Sequence, residues 1–220
     1  MSRPVRTDWP APPDAPPPVP VYWFGSPAGG RVYITIDDGW VPSPTVLNWM
    51  ATRHLPLTTF LIAAAARRDL AYWRAFQAAG GVIEDHTATH PDLVTLPYAS
   101  VEAQWQEPLT AFREWFGTVP AYGRPPYGQW DSTVARAAAA AGLKGIVMWS
   151  AVMGPHGLVT WNHGPLEAGD IILLHWDPTL PQELEQLLAI IAARHLVPAP
   201  LLEGLGPPGA PAPPTVASRE

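Results

Sequence analysis

A chain of 220 residues, 47 % of them hydrophobic, is long enough for one domain with a full core, and its formal net charge of −6 argues against binding to a nucleic-acid backbone. The absence of cysteine excludes disulfides, cysteine–zinc sites and thiol catalysis, so a bound metal would need His and carboxylate ligands. The sequence contains no stretch that is long and apolar enough to span a membrane.

Proline-rich segments occur at both ends of the chain. Residues 1–20 and 206–220 contain runs of proline, which favour an extended polyproline II conformation and cannot build a packed core. We therefore predict flexible tails on either side of one folded domain at 21–205. No apolar signal segment follows Met1, so we expect either a protein that stays inside the cell or a mature form whose signal segment was removed.

Between these tails, segments typical of strands alternate with segments that have helical spacing. The predicted strands are 31–36, 57–62, 82–83, 121–123, 145–149 and 171–174, and the predicted helices are 45–53, 72–79, 101–116, 134–141 and 184–194. Such alternation predicts an α/β fold with a parallel sheet, either open or closed into a barrel. Functional residues should then lie just past the C-terminal ends of the strands.

Polar residues do follow several of the predicted strands. Asp37 and Asp38 come directly after the first strand, where two adjacent carboxylates are costly unless they share a positive group; the alternative is a turn that caps the next helix. His86 and His90 follow the third strand at a spacing of four, which on a helical turn would direct both imidazoles at one ion. His175 ends the last apolar strand, where a histidine is either a capped core residue or a proton carrier in a cleft.

A further motif, at residues 124–128 (RPPYG), follows the strand at 121–123. Its prolines would fix the backbone and direct the Arg124 side chain and the Tyr127 N–H inward, although a rigid surface loop is the alternative. Because a parallel sheet brings strand ends to one rim, the four groups of polar residues together indicate a functional site more specifically than any one of them does. Asp, His and His at that rim leave coordination positions open, which is typical of a catalytic metal site.

These motifs resemble those of the polysaccharide deacetylases, carbohydrate esterase family four, which share the NodB homology domain. The matching segments, in the same order as in the family, are 35–39 (TIDDG), 86–93 (HTATHPDL), 124–128 (RPPYG) and 169–175 (GDIILLH). The resemblance spans about residues 32–196 and implies a distorted (β/α) barrel whose active site lies at the C-terminal rim of its parallel strands.

The resemblance also implies a metal site and a base. Asp38, His86 and His90 would bind one divalent ion, zinc by preference, with cobalt or nickel as alternatives. Asp37 would be the general base and would pair with Arg124. The Tyr127 N–H and the ion would stabilise the oxyanion, His175 would be the general acid, and Leu173 would line the pocket for the acetyl methyl group.

One departure from the family concerns the general acid. The family carries an Asp before the last strand that orients the acid His, whereas no carboxylate occurs here between Gly145 and Leu166. We considered Ser150, His156 and Asp177 as replacements.

Tryptophan is abundant, with 11 residues, and aromatic faces pack well against sugar rings. We predict Trp40, Trp130 and Trp161 as substrate platforms, although packing in the core is the common role of such residues. Tyr127 and Trp176 are expected to pack beneath the site.

The predicted function is removal of N-acetyl groups from N-acetylated aminosugars in peptidoglycan, chitin-type oligomers or a related polysaccharide. The alternatives are a hydrolase of the same fold for O-acetyl esters or other amides, and a carbohydrate-binding protein on a decayed enzyme scaffold. We expect an N-acetylated glycan as the partner and no binding of nucleic acid. We also expect a monomer without a membrane span. The substrate class and the proline tails favour an extracellular or cell-wall location, with a cytoplasmic one as the alternative.

Overall fold

A computed structural model describes residues 10–205 of the chain, and the predicted tail at 206–220 lies outside the described residues. The strands are β1 (Val21–Tyr22), β2 (Arg31–Asp38), β3 (Leu57–Leu61), β4 (Val82–Asp85), β5 (Tyr122–Gly123), β6 (Gly145–Val147), β7 (Ala151–Gly154), β8 (Gly157–Thr160), β9 (Ile171–His175) and β10 (Val197–Pro198). The helices are α1 (Pro44–Arg53), α2 (Ala63–Ala66), α3 (Leu70–Ala78), α4 (Tyr98–Phe116), α5 (Ser132–Ala141), α6 (Leu180–Ala193) and α7 (Leu201–Gly204).

The strands form one curled sheet in the order β1–β6–β5–β4–β3–β2–β9–β7–β8, with β10 paired to β2. Every pairing is parallel except that of β7 with β8, which form a hairpin. The predicted α/β fold of distorted barrel type is therefore confirmed, as a half-barrel with helices outside. Among residues 10–205, none of the helices is both long and apolar enough to cross a membrane.

The alternation of side chains along β2 separates the two faces of this sheet. Tyr33 packs with Phe60 in a small core inside the curl, whereas Ile34 belongs to the large core between the sheet and the outer helices. Because successive side chains of a strand point to opposite faces, Thr35 and Asp37 share the inner face with Tyr33.

The strand register brings the predicted functional groups to one edge. Asp37 of β2 lies level with His175 of β9. The next residue, Asp38, lies level with Leu61 of β3, which in turn lies level with Asp85 of β4. The segments that carry the histidines and the RPPYG motif begin directly after this row of residues. The sequence-based expectation that the strand ends meet at one rim is thus confirmed.

Of the predicted flexible tail at 1–20, residues 1–9 lie outside the described residues, and the stretch 10–20 contacts α5. Within it, the carbonyl of Ala15 accepts a hydrogen bond from Arg136 of α5, and the Val19 N–H donates to the Ala135 carbonyl at 3.2 Å. Val19 also packs against the core beside α5. Prolines lack N–H donors but keep their carbonyl acceptors, so this run can lie along a helix that supplies an arginine.

Candidate active site

Asp38, His86 and His90 converge at the C-terminal rim. Their ligand atoms lie within 4.8 Å of one another, and Asp38 Oδ1 is 3.5 Å from the Nε2 atom of each histidine. Asp38 Oδ1 is buried and has no hydrogen-bond partner among the described residues. A buried carboxylate oxygen between two imidazole nitrogens, each too far away for a good hydrogen bond, is suited to a shared cation.

The neighbours of His86 fix which ring nitrogen is available. Its Nδ1 lies 2.7 Å from the Arg124 carbonyl, which accepts a hydrogen bond and leaves Nε2 facing Asp38. Burial disfavours the charged form of His86, but the carboxylates of Asp37 and Asp38 outweigh this effect and raise its pKa. For Asp38, burial is likewise outweighed, here by the contact with His86, and the pKa of Asp38 is lowered.

The segment between the two histidines is a bend, so the predicted helical turn is wrong. Thr87 and His90 have φ values of 69° and 64°, in the left-handed region. Side chains replace the helical hydrogen bonds, because Asp85 Oδ1 accepts from the Thr87 N–H at 2.7 Å and Thr87 Oγ1 accepts from the His90 N–H at 2.9 Å. The bend nevertheless brings both imidazoles to Asp38.

Asp37 and Arg124 form a fully buried ion pair. Arg124 Nη1 donates to Asp37 Oδ1 at 2.7 Å, and the two side chains are 0 % and 3 % exposed. Arg124 also donates from Nε to the Val147 carbonyl at 2.9 Å and from Nη2 to the Met148 carbonyl at 3.0 Å. With Oδ1 engaged, Asp37 keeps Oδ2 directed towards the cluster of Asp38, His86 and His90, 3.7 Å from His86 Nε2.

Two further residues hold this pair, and they were missed in the sequence analysis. Thr35 Oγ1 accepts from Arg124 Nη1 at 2.8 Å and donates to the Ile172 carbonyl at 2.7 Å. The Phe60 ring lies under the guanidinium, 4.1 Å from its Cζ atom. The signal for Thr35 was its position two residues before Asp37, on the same face of the strand.

Buried carboxylates in β4 anchor the loops that carry the site. Glu84 accepts the N–H groups of Ala121 and Tyr122 at 2.8 and 2.7 Å, and so fixes the start of the strand that leads to Arg124. Burial raises the pKa of Glu84 to about 7. Burial likewise raises the pKa of Asp85 well above its ordinary value.

His175 ends β9 beside Asp37, and its charge contributes to lowering the pKa of Asp38. Its side chain is exposed and has no hydrogen-bond or ion-pair partner among residues 10–205. The candidate orienting partners do not fill this role: Ser150 donates to Asp170 at 2.7 Å, Asp177 accepts from Thr179 at 2.8 Å, and His156 lies in the exposed turn between β7 and β8.

Tyr127 does not pack beneath the site as we expected. It has a φ of 58° and is 60 % exposed, because the left-handed backbone turns its ring outward over His90, with the ring centroids 4.7 Å apart. Trp176, in contrast, is buried in the large core and donates from Nε1 to Thr59 Oγ1 at 2.8 Å. Leu173 is buried and lies on the strand that ends at His175.

The three tryptophans that we predicted as platforms differ in their surroundings. Trp40 follows Asp38 by two residues and is 39 % exposed. Trp130 is partly buried and packs against the core under α4 and α5, and Trp161 is partly buried with its ring 6.1 Å from that of Phe24. Of the three, Trp40 is therefore the most exposed.

Known proteins resemble this chain in sequence. The sequence model described as polysaccharide deacetylase matches residues 25–146. The chitooligosaccharide deacetylase of Sinorhizobium fredii is 34 % identical over 196 residues, which cover 82 % of this chain and 89 % of that protein.

Solved structures show the same fold. A family 4 carbohydrate esterase from Streptomyces lividans, in complex with acetate, has a TM-score of 0.67 at 26 % identity, covering 78 % of this chain and 92 % of that one. A pseudoenzyme of the same esterase family from Bacillus anthracis has a TM-score of 0.73 at 18 % identity, covering 83 % of this chain and 68 % of that one, so the fold alone does not establish activity. On the family match and the level of identity to a deacetylase, the chain belongs to the polysaccharide deacetylases of carbohydrate esterase family four.

Proposed function

We propose that this protein is a metal-dependent hydrolase that removes N-acetyl groups from N-acetylated aminosugars. The observation that carries the proposal is the convergence of Asp38, His86 and His90 within 4.8 Å, beside the buried pair of Asp37 and Arg124. The named activity of the Sinorhizobium relative supports an acetylated glycan as substrate.

The donor set fits a divalent ion, because Asp38 Oδ1 is buried without a hydrogen bond and His86 presents Nε2 while its Nδ1 is held by a carbonyl. Asp38, His86 and His90 would be the ligands, with zinc as our proposed ion. When bound, the ion supplies a Lewis acid that polarises the acetyl carbonyl and lowers the pKa of water towards about 7.

Asp37 takes the role of general base. Its Oδ1 accepts a charged hydrogen bond from Arg124, which holds the carboxylate in one orientation and leaves Oδ2 to accept a proton from the attacking water. Arg124 is itself fixed by two backbone carbonyls and Thr35, so the base cannot rotate without breaking several buried hydrogen bonds.

His175 takes the role of general acid. It lies level with Asp37 at the rim and is exposed, so a substrate can reach its ring. As the carbon–nitrogen bond breaks, the nitrogen of the aminosugar accepts a proton from His175 and leaves as an amine, and acetate is the second product.

A second candidate function, hydrolysis of O-acetyl esters on a glycan, is favoured by one observation. His175 has no hydrogen-bond or ion-pair partner among residues 10–205, and Val152 of β7, which lies level with Leu173 of the strand that ends at His175, is apolar. An alcohol leaves more readily than an amine and depends less on a strong acid.

The test is acetate release from an N-acetylglucosamine tetramer and from an O-acetylated xylan oligomer, with zinc supplied. For the native chain we expect the higher kcat/KM on the tetramer, and for Asp37→Asn a loss of about 100- to 10,000-fold. Asp69→Asn, which alters a helix-capping residue and keeps its side-chain acceptor, is the matched control and should stay within about twofold. Release from the xylan oligomer alone would establish the esterase, and an unchanged rate in Asp37→Asn would refute the assigned base.

A further inference from the structure

We propose that Arg68 and Trp40 form a subsite for a sugar ring that carries a carboxylate, next to the sugar that is deacetylated. The inference rests on the proposed function, because it takes the cluster of Asp38, His86 and His90 as the reaction centre. It adds a substrate class, an acidic glycan, and a residue, Arg68, that has no role in the hydrolysis itself.

Both residues lie at the rim beside the metal-binding cluster. Trp40 follows Asp38 by two residues, so their Cα atoms are at most about 7 Å apart. Arg68 lies just past α2, and the first two N–H groups of that helix donate to the carbonyls of Thr87 and Ala88 at 3.1 and 3.0 Å. The element that carries Arg68 is therefore tied to the bend that carries both histidines.

The two side chains are stacked. Arg68 Cζ lies 4.6 Å from the centroid of the Trp40 ring, and Trp40 remains 39 % exposed. Stacking orients the planar guanidinium and restricts its motion before any ligand binds. The part of the indole that stays exposed can pack against the apolar face of a sugar ring, with the guanidinium next to it.

The guanidinium of Arg68 makes no ion pair with the described residues, so its donors are available to an anionic ligand. Arg68 is exposed and has no ion-pair partner among residues 10–205. Its acidic neighbour, Asp69, is engaged by the N–H of Tyr72 in the first turn of α3, at 3.0 Å. In contrast, Arg53 is stacked on a tryptophan at 4.4 Å but is paired with Glu185 at 3.1 Å. Carboxylate and phosphate groups both match the donor fork of a free guanidinium, and of the two the carboxylate of an acidic sugar is the one we propose.

The experiment compares two tetrasaccharides on the zinc-loaded full chain. One alternates N-acetylglucosamine with N-acetylmuramic acid, and the other is the same compound with its carboxylates reduced to alcohols. The variants are Arg68→Gln, Arg68→Lys, and Arg53→Gln as the matched control for removing a stacked surface arginine. Acetate release gives KM and kcat, and calorimetry gives the affinity for both compounds whether or not acetate is released.

For Arg68→Gln we expect kcat/KM on the acidic tetrasaccharide to fall by about tenfold, mainly through KM, with less than about twofold change on the reduced compound. Arg68→Lys should recover part of the loss, and Arg53→Gln should match the native chain on both. The proposal is overturned if Arg68→Gln weakens both compounds equally or neither, in kinetics or in calorimetry. If the native chain binds the acidic compound through Arg68 but releases no acetate, the proposed function fails and the subsite stands.

Discussion

Replacing Arg124 by methionine should destabilise the fold far more than any surface arginine would. The change keeps an unbranched apolar stem, shorter than that of arginine, and leaves Asp37, which is 2 % exposed, as a buried carboxylate without its counter-ion. Removing one partner of such a pair costs about 3–5 kcal/mol of unfolding free energy. The carbonyls of Val147 and Met148 also lose their donors, which places the expected loss at the upper end of that range.

Urea unfolding of the metal-free protein, in a chelator, measures this loss without a contribution from bound zinc. Asp37→Asn and the double variant complete a double-mutant cycle, in which we expect the double variant to lose about 1–3 kcal/mol less than the sum of the two single losses. Arg53→Met is the control, because its pair with Glu185 is 42 % and 56 % exposed and should contribute less than about 1 kcal/mol. A loss below about 1 kcal/mol for Arg124→Met, or strict additivity in the cycle, would show that the pair of Asp37 and Arg124 contributes little to the stability of the fold.

Three further predictions concern stability and the metal. Burial raises the pKa of Glu84 from 4.5 to about 7, so between these pH values the native state keeps a proton that the unfolded chain releases. The unfolding free energy should therefore fall by about 3 kcal/mol as the pH rises from 4.5 to 7. Urea titrations at several pH values measure this decline, which Glu84→Gln should remove. In Gly39→Ala, where φ is 102°, the added Cβ would lie only 2.3 Å from Leu61 Cδ1, whereas in Gly142→Ala, where φ is 103°, the added Cβ would meet open space. In thermal unfolding, Gly39→Ala should therefore lose about 1–3 kcal/mol more of the unfolding free energy than Gly142→Ala. Zinc at about 100 times its Kd should raise the unfolding free energy of the native chain by about 2.7 kcal/mol, an increase that His90→Ala should largely abolish.

The placement of the site followed from sequence because it depends on parallel strands. Once the strands were recognised by their apolar and β-branched runs, the residues after them had to meet at one rim, and the register from Asp38 through Leu61 to Asp85 is the outcome. The buried pair of Asp37 and Arg124 was expected from the family resemblance, and the structure brings the two side chains together.

Features that depend on backbone details were harder to predict. The spacing of His86 and His90 is compatible with a helix, and only the hydrogen bonds of Asp85 and Thr87 to the backbone make the bend. The hairpin of β7 and β8 was not predicted.

The charge environment of Arg68 could not be predicted from sequence either. Whether an arginine finds an acidic partner depends on tertiary contacts, as the different surroundings of Arg53 and Arg68 illustrate. Both arginines are stacked on tryptophan, but only Arg53 is paired with a carboxylate, that of Glu185.

The most direct test of the metal-dependent deacetylase is acetate release from an N-acetylglucosamine tetramer by the native chain in chelator, after zinc is restored, and by Asp38→Ala with zinc. We expect release by the native chain with zinc, and none in chelator or from Asp38→Ala. A native chain that holds zinc and releases no acetate, or a rate that survives chelation or the loss of Asp38, would contradict it.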